Sequence, residues 1–357
     1  MRIVCVGGGP AGLYFAILMK KRDPSHAVTV IERNRPGDTF GWGVVFSDET
    51  LRNLHGGDAE SLAEIEANFA HWDDIDVHFR GRVIRSGGHG FCGIARKRLL
   101  GILQARAAAL GVELRFETEL RDLDAIRPAD LIVAADGVGS SVRDSLGIPT
   151  ERKSFSDGVL RLLVDRLDEM RGGDWENVID FWAAPEKSLR ILYTPCSVSD
   201  VYLSMMSPVT HPVATTVPVN KDIWSDAVPE LAPLIRTIGT QGRFNAYEMT
   251  RARDWSMGKA ALVGDSAHAM PPTLGQGVGC AMMNALALAA LLSETDNIEQ
   301  GLSIWEKNER PMTDATQDES CNIAETRRLQ EGQTINASDH TFSTAKHVPT
   351  GTHGGVA

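Results

Sequence analysis

The apolar positions of this chain change their period several times, and each change predicts an element. Ile3-Val4-Cys5-Val6 is a continuous apolar run and reads as a buried strand. Gly7 to Gly12 turns, and Leu13 to Arg22 carries Leu13, Ala16, Ile17 and Lys20 at helical spacing until Asp23-Pro24 stops it. Val28 to Glu32 is a second strand, so the chain opens strand, turn, helix, strand, the start of an α/β fold. A helix with Leu99, Leu100, Leu103, Ala107 and Leu110 on its stripe follows around Lys97 to Leu110, and Leu131 to Ala135 is another buried strand. From Phe155 to Met206 the character changes. Val178 to Trp182, Leu189 to Tyr193 and Val201 to Met205 are short strand-like runs broken by Pro, Ser and Asp, which predicts an antiparallel sheet inserted into the first fold. Ala260 to Val263 returns to a buried strand, then a glycine-rich stretch leads into the apolar helix Cys280 to Leu292.

These runs predict an α/β chain with an α+β insert: a Rossmann-like dinucleotide-binding domain carrying an antiparallel β-sheet domain for the substrate. The first is discontinuous, over residues 1–70, 90–155 and 245–330, and the second takes 71–89 and 156–244. Residues 331–357 are a polar tail, expected to order only against a partner.

Composition narrows the partners. Net charge is −11 and no lysine or arginine run stands out, whereas nucleic acid and anionic membrane both select a basic surface. Neither is therefore expected as a partner. No apolar run approaches the roughly 18–20 residues of a spanning helix, and Met1 leads straight into the first strand, so a cytoplasmic protein without a leader is expected. Cys5, Cys92, Cys196, Cys280 and Cys321 are scattered and form no CxxC pair, so reduced thiols are expected, with no metal site and no disulfide framework.

Gly7, Gly9 and Gly12 form GxGxxG between a strand and a helix. Such glycines allow a tight turn and close backbone approach, and the helix N-terminus then offers free N–H groups to a pyrophosphate. Glu32, 20 residues after Gly12, ends the second strand where a carboxylate accepts from ribose hydroxyls, with Arg33 beside it. Two further motifs select FAD over NAD. Asp136-Gly137-Val138-Gly139-Ser140-Ser141-Val142-Arg143 follows one strand, and Gly264-Asp265-Ser266-Ala267-His268 follows another, with Pro271-Pro272 and Gly275-Gln276-Gly277 after it. Asp136 and Asp265 stand at strand ends, where an acid holds a ribityl hydroxyl. The turn from Gly264 through Gly275 and Gly277 to Val278 offers amides to the flavin ring. Each motif alone could also be a structural turn.

Together and in this order the three motifs resemble the flavoprotein aromatic hydroxylases of the para-hydroxybenzoate hydroxylase type. The resemblance extends to Trp305-Glu306-Lys307-Asn308-Glu309-Arg310-Pro311 and to Arg96, which stands where that family carries a flavin-contacting arginine. It implies bound FAD, NADH or NADPH as co-substrate, O₂, and hydroxylation of an aromatic ring by a flavin hydroperoxide. Pro272, Gly275 and Gly277 are then the catalytic candidates, through backbone groups near the reacting oxygen. His268 is implied to be structural rather than a general base. Gly279 and Asn284 depart from the family, which often has Asn and an acidic residue at these positions.

Asp157 to Leu162, Trp175 to Asp180, Arg190 to Cys196 and Gly277 to Met282 resemble the branch that hydroxylates and opens a hydroxypyridine-carboxylate ring. That likeness runs over residues 128–315 and implies Arg190 and Tyr202 as substrate-binding residues. An arginine in an apolar strand is costly unless paired, and either an acidic substrate or an internal carboxylate can pair Arg190 bidentately. Arg190 and Tyr202 share a face only if an odd number of residues separates their paired strands. Gly41 to Asp48, His71 to Asp76 and Ser86 to Cys92 instead resemble the hydroxylase half of salicyloyl- and anthraniloyl-CoA oxygenases, and His89 or Asp74 is a further pocket candidate. The expected substrate is a carboxylated hydroxy-aromatic or hydroxypyridine. An aryl-CoA thioester is the alternative, and a homodimer the expected assembly. A flavin halogenase would carry a WxWxIP run, and no tryptophan here sits in one. A non-catalytic flavoprotein is the remaining class, excluded by substrate-stimulated NAD(P)H oxidation.

Overall fold

A computed structural model describes residues 1–39, 42–79, 81–88, 90–120, 122–126 and 128–326. The polar tail, His89 and Gly41 lie outside the described residues.

The opening run forms the strand Arg2–Val6, central in a six-stranded sheet. Its order is Ser256–Met257, Ala260–Leu262, Leu131–Ala134, Arg2–Val6, Ala27–Ile31 and Glu113–Arg115. All neighbours are parallel except the edge pair Ser256–Met257/Ala260–Leu262. Parallel strands are covered on both faces, and here the helices Pro10–Arg22, Arg96–Ala109 and Gly277–Leu292 belong to the same core. The first helix begins at Pro10, inside the stretch expected to be turn, because proline is preorganised for the first helical position.

The second sheet has seven strands in the order Arg243–Ala252, Thr150–Asp165, Asp200–Pro208, Arg190–Pro195, Val178–Trp182, Ile75–Phe79 and Arg82–Ser86. It is not wholly antiparallel, as expected from the short runs. Val178–Trp182 pairs in parallel with Ile75–Phe79, a strand delivered from far earlier in the chain rather than by a hairpin. Its longest strand, Thr150–Asp165, begins in the polar stretch Thr150 to Ser154 and pairs there with Arg243–Ala252.

The two faces of this sheet differ. Leu160, Leu162, Ile179, Phe181, Ile191, Tyr193, Leu203 and Met205 point to one side. There they pack on Trp224, Leu231, Leu234 and Ile235, which come from the helices Lys221–Ala227 and Ala232–Thr237 and the turn Pro229–Leu231. The alternate positions face the first domain. A three-stranded sheet of Gly43–Ser47, Phe91–Ala95 and Ala70–Trp72 lies at the junction. The 29-residue helix Ile298–Thr326 contains Pro311 and packs along Gly277–Leu292.

Candidate active site

A cavity of about 1080 Å³ runs from the GxGxxG turn to the inner face of the seven-stranded sheet. Its cofactor end is built by backbone. Gly7 has φ +105°, and a Cβ there would lie 2.2 Å from the Ala135 carbonyl oxygen, so only glycine fits. A Cβ on Gly12 would lie 2.3 Å from the Gly7 carbonyl. Gly12 does not line the cavity, so its glycine serves the packing of turn against helix. Gly9 and Gly277 do line it, and the space at their Cβ positions is open to at least 3.9 Å.

Glu32 sits at the predicted strand end. Its Oε2 accepts from the Gly8 amide at 2.8 Å and its Oε1 from the Asn34 amide at 2.8 Å and the Asn34 side chain at 2.6 Å. Each carboxylate oxygen has two lone pairs, so these bonds orient Glu32 without exhausting it. Asp136 Oδ2 accepts from the amides of Ser141 and Val142 at 2.8 and 3.3 Å, while its Oδ1 is buried with no partner among the described residues. Arg33, Asp265, Gly264 and Val278 also line the cavity. Arg96 does too, its Nε donating to Thr39 Oγ1 at 3.1 Å, and burial pushes its pKa down against the pull of Asp265.

The catalytic candidates Pro272, Gly275 and Gly277 are brought together at the cavity wall, but they do not all offer an amide. Pro272 has no N–H. Gly275, at φ +67°, spends its N–H on the Pro272 carbonyl at 3.2 Å. The helix Gly277–Leu292 makes its first internal bond from Cys280 to Gln276, which leaves Gly277 and Val278 as first-turn donors facing the cavity.

The substrate end is built by side chains. Five residues, 196–200, separate the last registered pair Pro195↔Val201, so Arg190 and Tyr202 share a face as the odd-number condition requires. With them on the cavity wall stand Val159, Arg161, Leu192, Thr194, Ser204, Met206, Asn245 and Tyr247. Burial pushes the Tyr202 and Tyr247 phenols upward. Arg161 Nη2 donates to Asn245 Oδ1 at 2.9 Å and its guanidinium lies 4.3 Å from the centre of the Trp42 ring. Its Nε is buried with no partner among the described residues.

Arg190 is already paired. Its Nε and Nη2 reach the two Asp180 oxygens, each at 2.6 Å, and both side chains are buried. Of the two ways to satisfy a buried arginine, the fold uses the internal carboxylate. The Nε–Nη2 edge of Arg190 is thus taken by Asp180, while Arg190 still lines the cavity beside Tyr202.

The comparisons with known proteins bear on this geometry. A model described as an FAD binding domain matches residues 126–320. AqdB1 of Rhodococcus erythropolis, assigned as a 2-heptyl-3-hydroxy-4(1H)-quinolone synthase, is 37% identical over 327 residues, covering 87% of this chain and 84% of that one. A Streptomyces salicyloyl-CoA 5-hydroxylase is 34% identical over 329 residues, covering 89% of this chain and 63% of the relative. The tetrameric form of 2-methyl-3-hydroxypyridine-5-carboxylic acid oxygenase superposes with a TM-score of 0.86 at 34% identity, over 97% of this chain and 95% of that structure. This chain belongs to the FAD-dependent aromatic-ring monooxygenases.

The monooxygenase's own residues fit the flavin nucleotide. The orphaned Asp136 Oδ1, the open approach at Gly9 and Gly277, and the free amides of Gly277 and Val278 are the acceptors and donors such a group needs. The likeness to the pyridine-ring oxygenase spans nearly the whole chain rather than residues 128–315 alone. His268 is buried away from the cavity against Trp255, with ring centroids 5.0 Å apart, and burial lowers its pKa, in keeping with a structural role. Asp74 lies outside the cavity, 3.9 Å from Arg85. Among the described residues no cluster of His, Cys, Asp or Glu could hold a metal, and no helix is long and apolar enough to cross a membrane.

Sequence reasoning assigned no role to Arg161, Trp42, Asp180 or Tyr247. For Arg161 a signal was present: Leu160 and Leu162 alternate with it, which places it on the face opposite the core. Trp42 and Tyr247 come from distant segments and have no such local cue.

Proposed function

We propose that this monooxygenase uses NAD(P)H and O₂ to oxygenate a hydroxylated aromatic or heteroaromatic ring whose acidic oxygen pairs with Arg161. The observation that carries this reading is the partner set of Arg161: a neutral amide, an aromatic face and a buried Nε with no acceptor. A buried donor without an acceptor is costly, and a phenolate, enolate or carboxylate oxygen supplies one with charge assistance. The relatives' names support the choice of ring, since they specify a hydroxyquinolone, a salicyloyl thioester and a hydroxypyridine carboxylate.

FAD held by the Gly7–Gly9 turn, Glu32, Asp136 and the amides of Gly277 and Val278 would supply the chemistry, accepting hydride from NAD(P)H and passing one oxygen atom of O₂ to the ring. The chain's residues do the rest. Val159, Leu192 and Met206 give the ring an apolar seat and exclude water, which favours oxygen transfer over wasteful release of peroxide. The Tyr202 hydroxyl stays protonated across the neutral range, because burial raises its pKa, and can donate to a ring substituent. Gly277 and Val278 present first-turn amides to the cavity, where they would bond the flavin's edge.

The test is NADH and NADPH oxidation by FAD-loaded protein against hydroxyquinolones, hydroxypyridines, hydroxybenzoates and their thioesters, with mass analysis of products. Stimulated oxidation with gain of one oxygen supports hydroxylation, and gain of two oxygens and two hydrogens indicates ring opening. Oxidation that no hydroxylated ring stimulates would overturn the reading.

A further inference from the structure

We propose that Asp180 sets the charge selectivity of the site: it occupies Arg190 so that this end of the cavity receives an uncharged part of the substrate, leaving Arg161 to hold the acidic oxygen. The inference rests on the reading of Arg161 given above.

The two arginines stand on one face of one sheet, yet their surroundings are opposite. The in-plane edge of Arg190 formed by Nε and Nη2 is taken by both oxygens of Asp180 at 2.6 Å. Its guanidinium carbon lies 4.6 Å from the centre of the Trp182 ring. The pair is nearly sealed, with Arg190 and Asp180 side chains 7% and 2% exposed. The sheet register enforces this. Trp182 pairs directly with Arg190 and Asp180 with Leu192, so Asp180, Trp182, Arg190 and Leu192 all project to the cavity side.

A carboxylate arriving beside Arg190 would meet a guanidinium already bonded to both oxygens of Asp180. It would be attracted by the guanidinium and repelled by Asp180 only a little further away, and it would still lose its own hydration. Among the described residues the side chain hydrogen-bonded to Arg161 is the neutral Asn245, and the residue opposite it in the sheet is a second cation, Arg243, so an anion there is not opposed in this way. The apolar neighbours of Arg190 on the wall, Leu192 and Met206, also suit an uncharged group. The substrate class that follows is a ring with one acidic oxygen and, at the far end, an uncharged edge, in place of a ring that also carries a free carboxylate there.

The test compares isophthalate with 3-nitrobenzoate binding to FAD-loaded protein, read by perturbation of the flavin absorbance and by calorimetry. Both acids bring one carboxylate for Arg161. The second substituent is a carboxylate in one and its uncharged isostere in the other. The wild-type protein is expected to bind 3-nitrobenzoate at least about tenfold more tightly. Asp180→Asn leaves the Arg190 charge uncompensated and should shift that ratio at least about tenfold toward isophthalate. Isophthalate binding as tightly as 3-nitrobenzoate to the wild type, or a ratio unmoved by Asp180→Asn, overturns the inference and leaves the Arg161 reading standing. Should Asp180→Asn not fold, the wild-type ratio alone decides. Binding of neither acid removes both readings.

Discussion

The two ends of the cavity recognise their ligands by different means. At the cofactor end the recognising groups are backbone amides and a few carboxylates, held by glycines whose missing side chains are the essential feature. At the substrate end they are side chains from strands far apart in sequence, aligned by sheet register. Backbone recognition tolerates almost no change at its tight turns but says little about which ligand variant binds. Side-chain recognition can be altered residue by residue, and it sets which ring is accepted. The same division holds for charge. Buried Asp58 is bonded by Arg106, Ser61 and Lys21 and braces the helix Ala59–Glu66, whereas buried Asp180 is bonded to Arg190, which lines the active-site cavity.

Each side of this comparison can be broken. The largest effect is expected from Gly7→Ala, where the added Cβ would fall 2.2 Å from the Ala135 carbonyl on a backbone of φ +105°. The turn must then reorganise. FAD affinity should fall by more than about 100-fold, equivalent to about 3 kcal/mol, together with the apo-protein melting temperature. Flavin retained on gel filtration and thermal unfolding measure the two.

Next is Arg161→Met. The affinity of a responding hydroxylated ring should drop by about 10- to 100-fold, the range for a lost hydrogen bond to a charged group of about 1.5–3 kcal/mol. FAD should remain bound. Loss of flavin in this variant would show that the two ends are not separable in the way described.

A smaller effect belongs to Asp58. Burial pushes its carboxyl up, but the bonds from Arg106, Ser61 and Lys21 outweigh this and hold it at about 2. An unfolded Asp titrates near about 3.9, so the folded pKa is depressed. The stabilisation is then complete above about pH 4 and is lost as pH falls through the folded value of about 2. It amounts to about 2–3 kcal/mol on the scale of about 1.4 kcal/mol per pKa unit. Urea unfolding of wild type and Asp58→Asn at pH 5 and pH 2 should show the gap between them shrinking at the lower pH.

The smallest effect separates packing from ligand approach. A Cβ on Gly9 meets nothing nearer than 3.9 Å, so Gly9→Ala should leave apo-protein stability within about 0.5 kcal/mol of wild type. FAD affinity should nonetheless fall about tenfold if the pyrophosphate approaches this backbone. An unchanged FAD titration would place the pyrophosphate elsewhere.

Much of the cofactor end was legible because its signals are local. GxGxxG, the acid at Glu32 and the Gly264–Val278 turn each lie within one strand-turn-helix unit, and the cavity is lined by Gly7, Gly9 and Glu32 and, from the turn, by Gly264, Asp265, Gly275, Gly277 and Val278. Some of the detail depended on pairing that residue type does not show. Pro272 and Gly275 line the cavity as their motif implied, but the Gly275 amide is spent on the Pro272 carbonyl within the turn. The polar start of Thr150–Asp165 hid a strand, because pairing with Arg243–Ala252 rather than hydrophobic alternation holds it extended.

By itself the sequence determined the parallel nucleotide-binding sheet and the FAD turns, since both follow from periods of 3.6 and 2 and from glycine's backbone freedom, while the shared face of Arg190 and Tyr202 waited on the strand register. Only the tertiary structure decided how charge is distributed in the substrate end. Whether an arginine on that face meets a carboxylate of the protein or remains for a ligand depends on which strand lies beside it and in what register. Here the register brought Asp180 diagonally beside Arg190, and it set Arg243 directly opposite Arg161 with the neutral Asn245 diagonally beside it as its hydrogen-bond partner. Pairing between separate strands is a long-range contact, and no run of neighbouring residues encodes it.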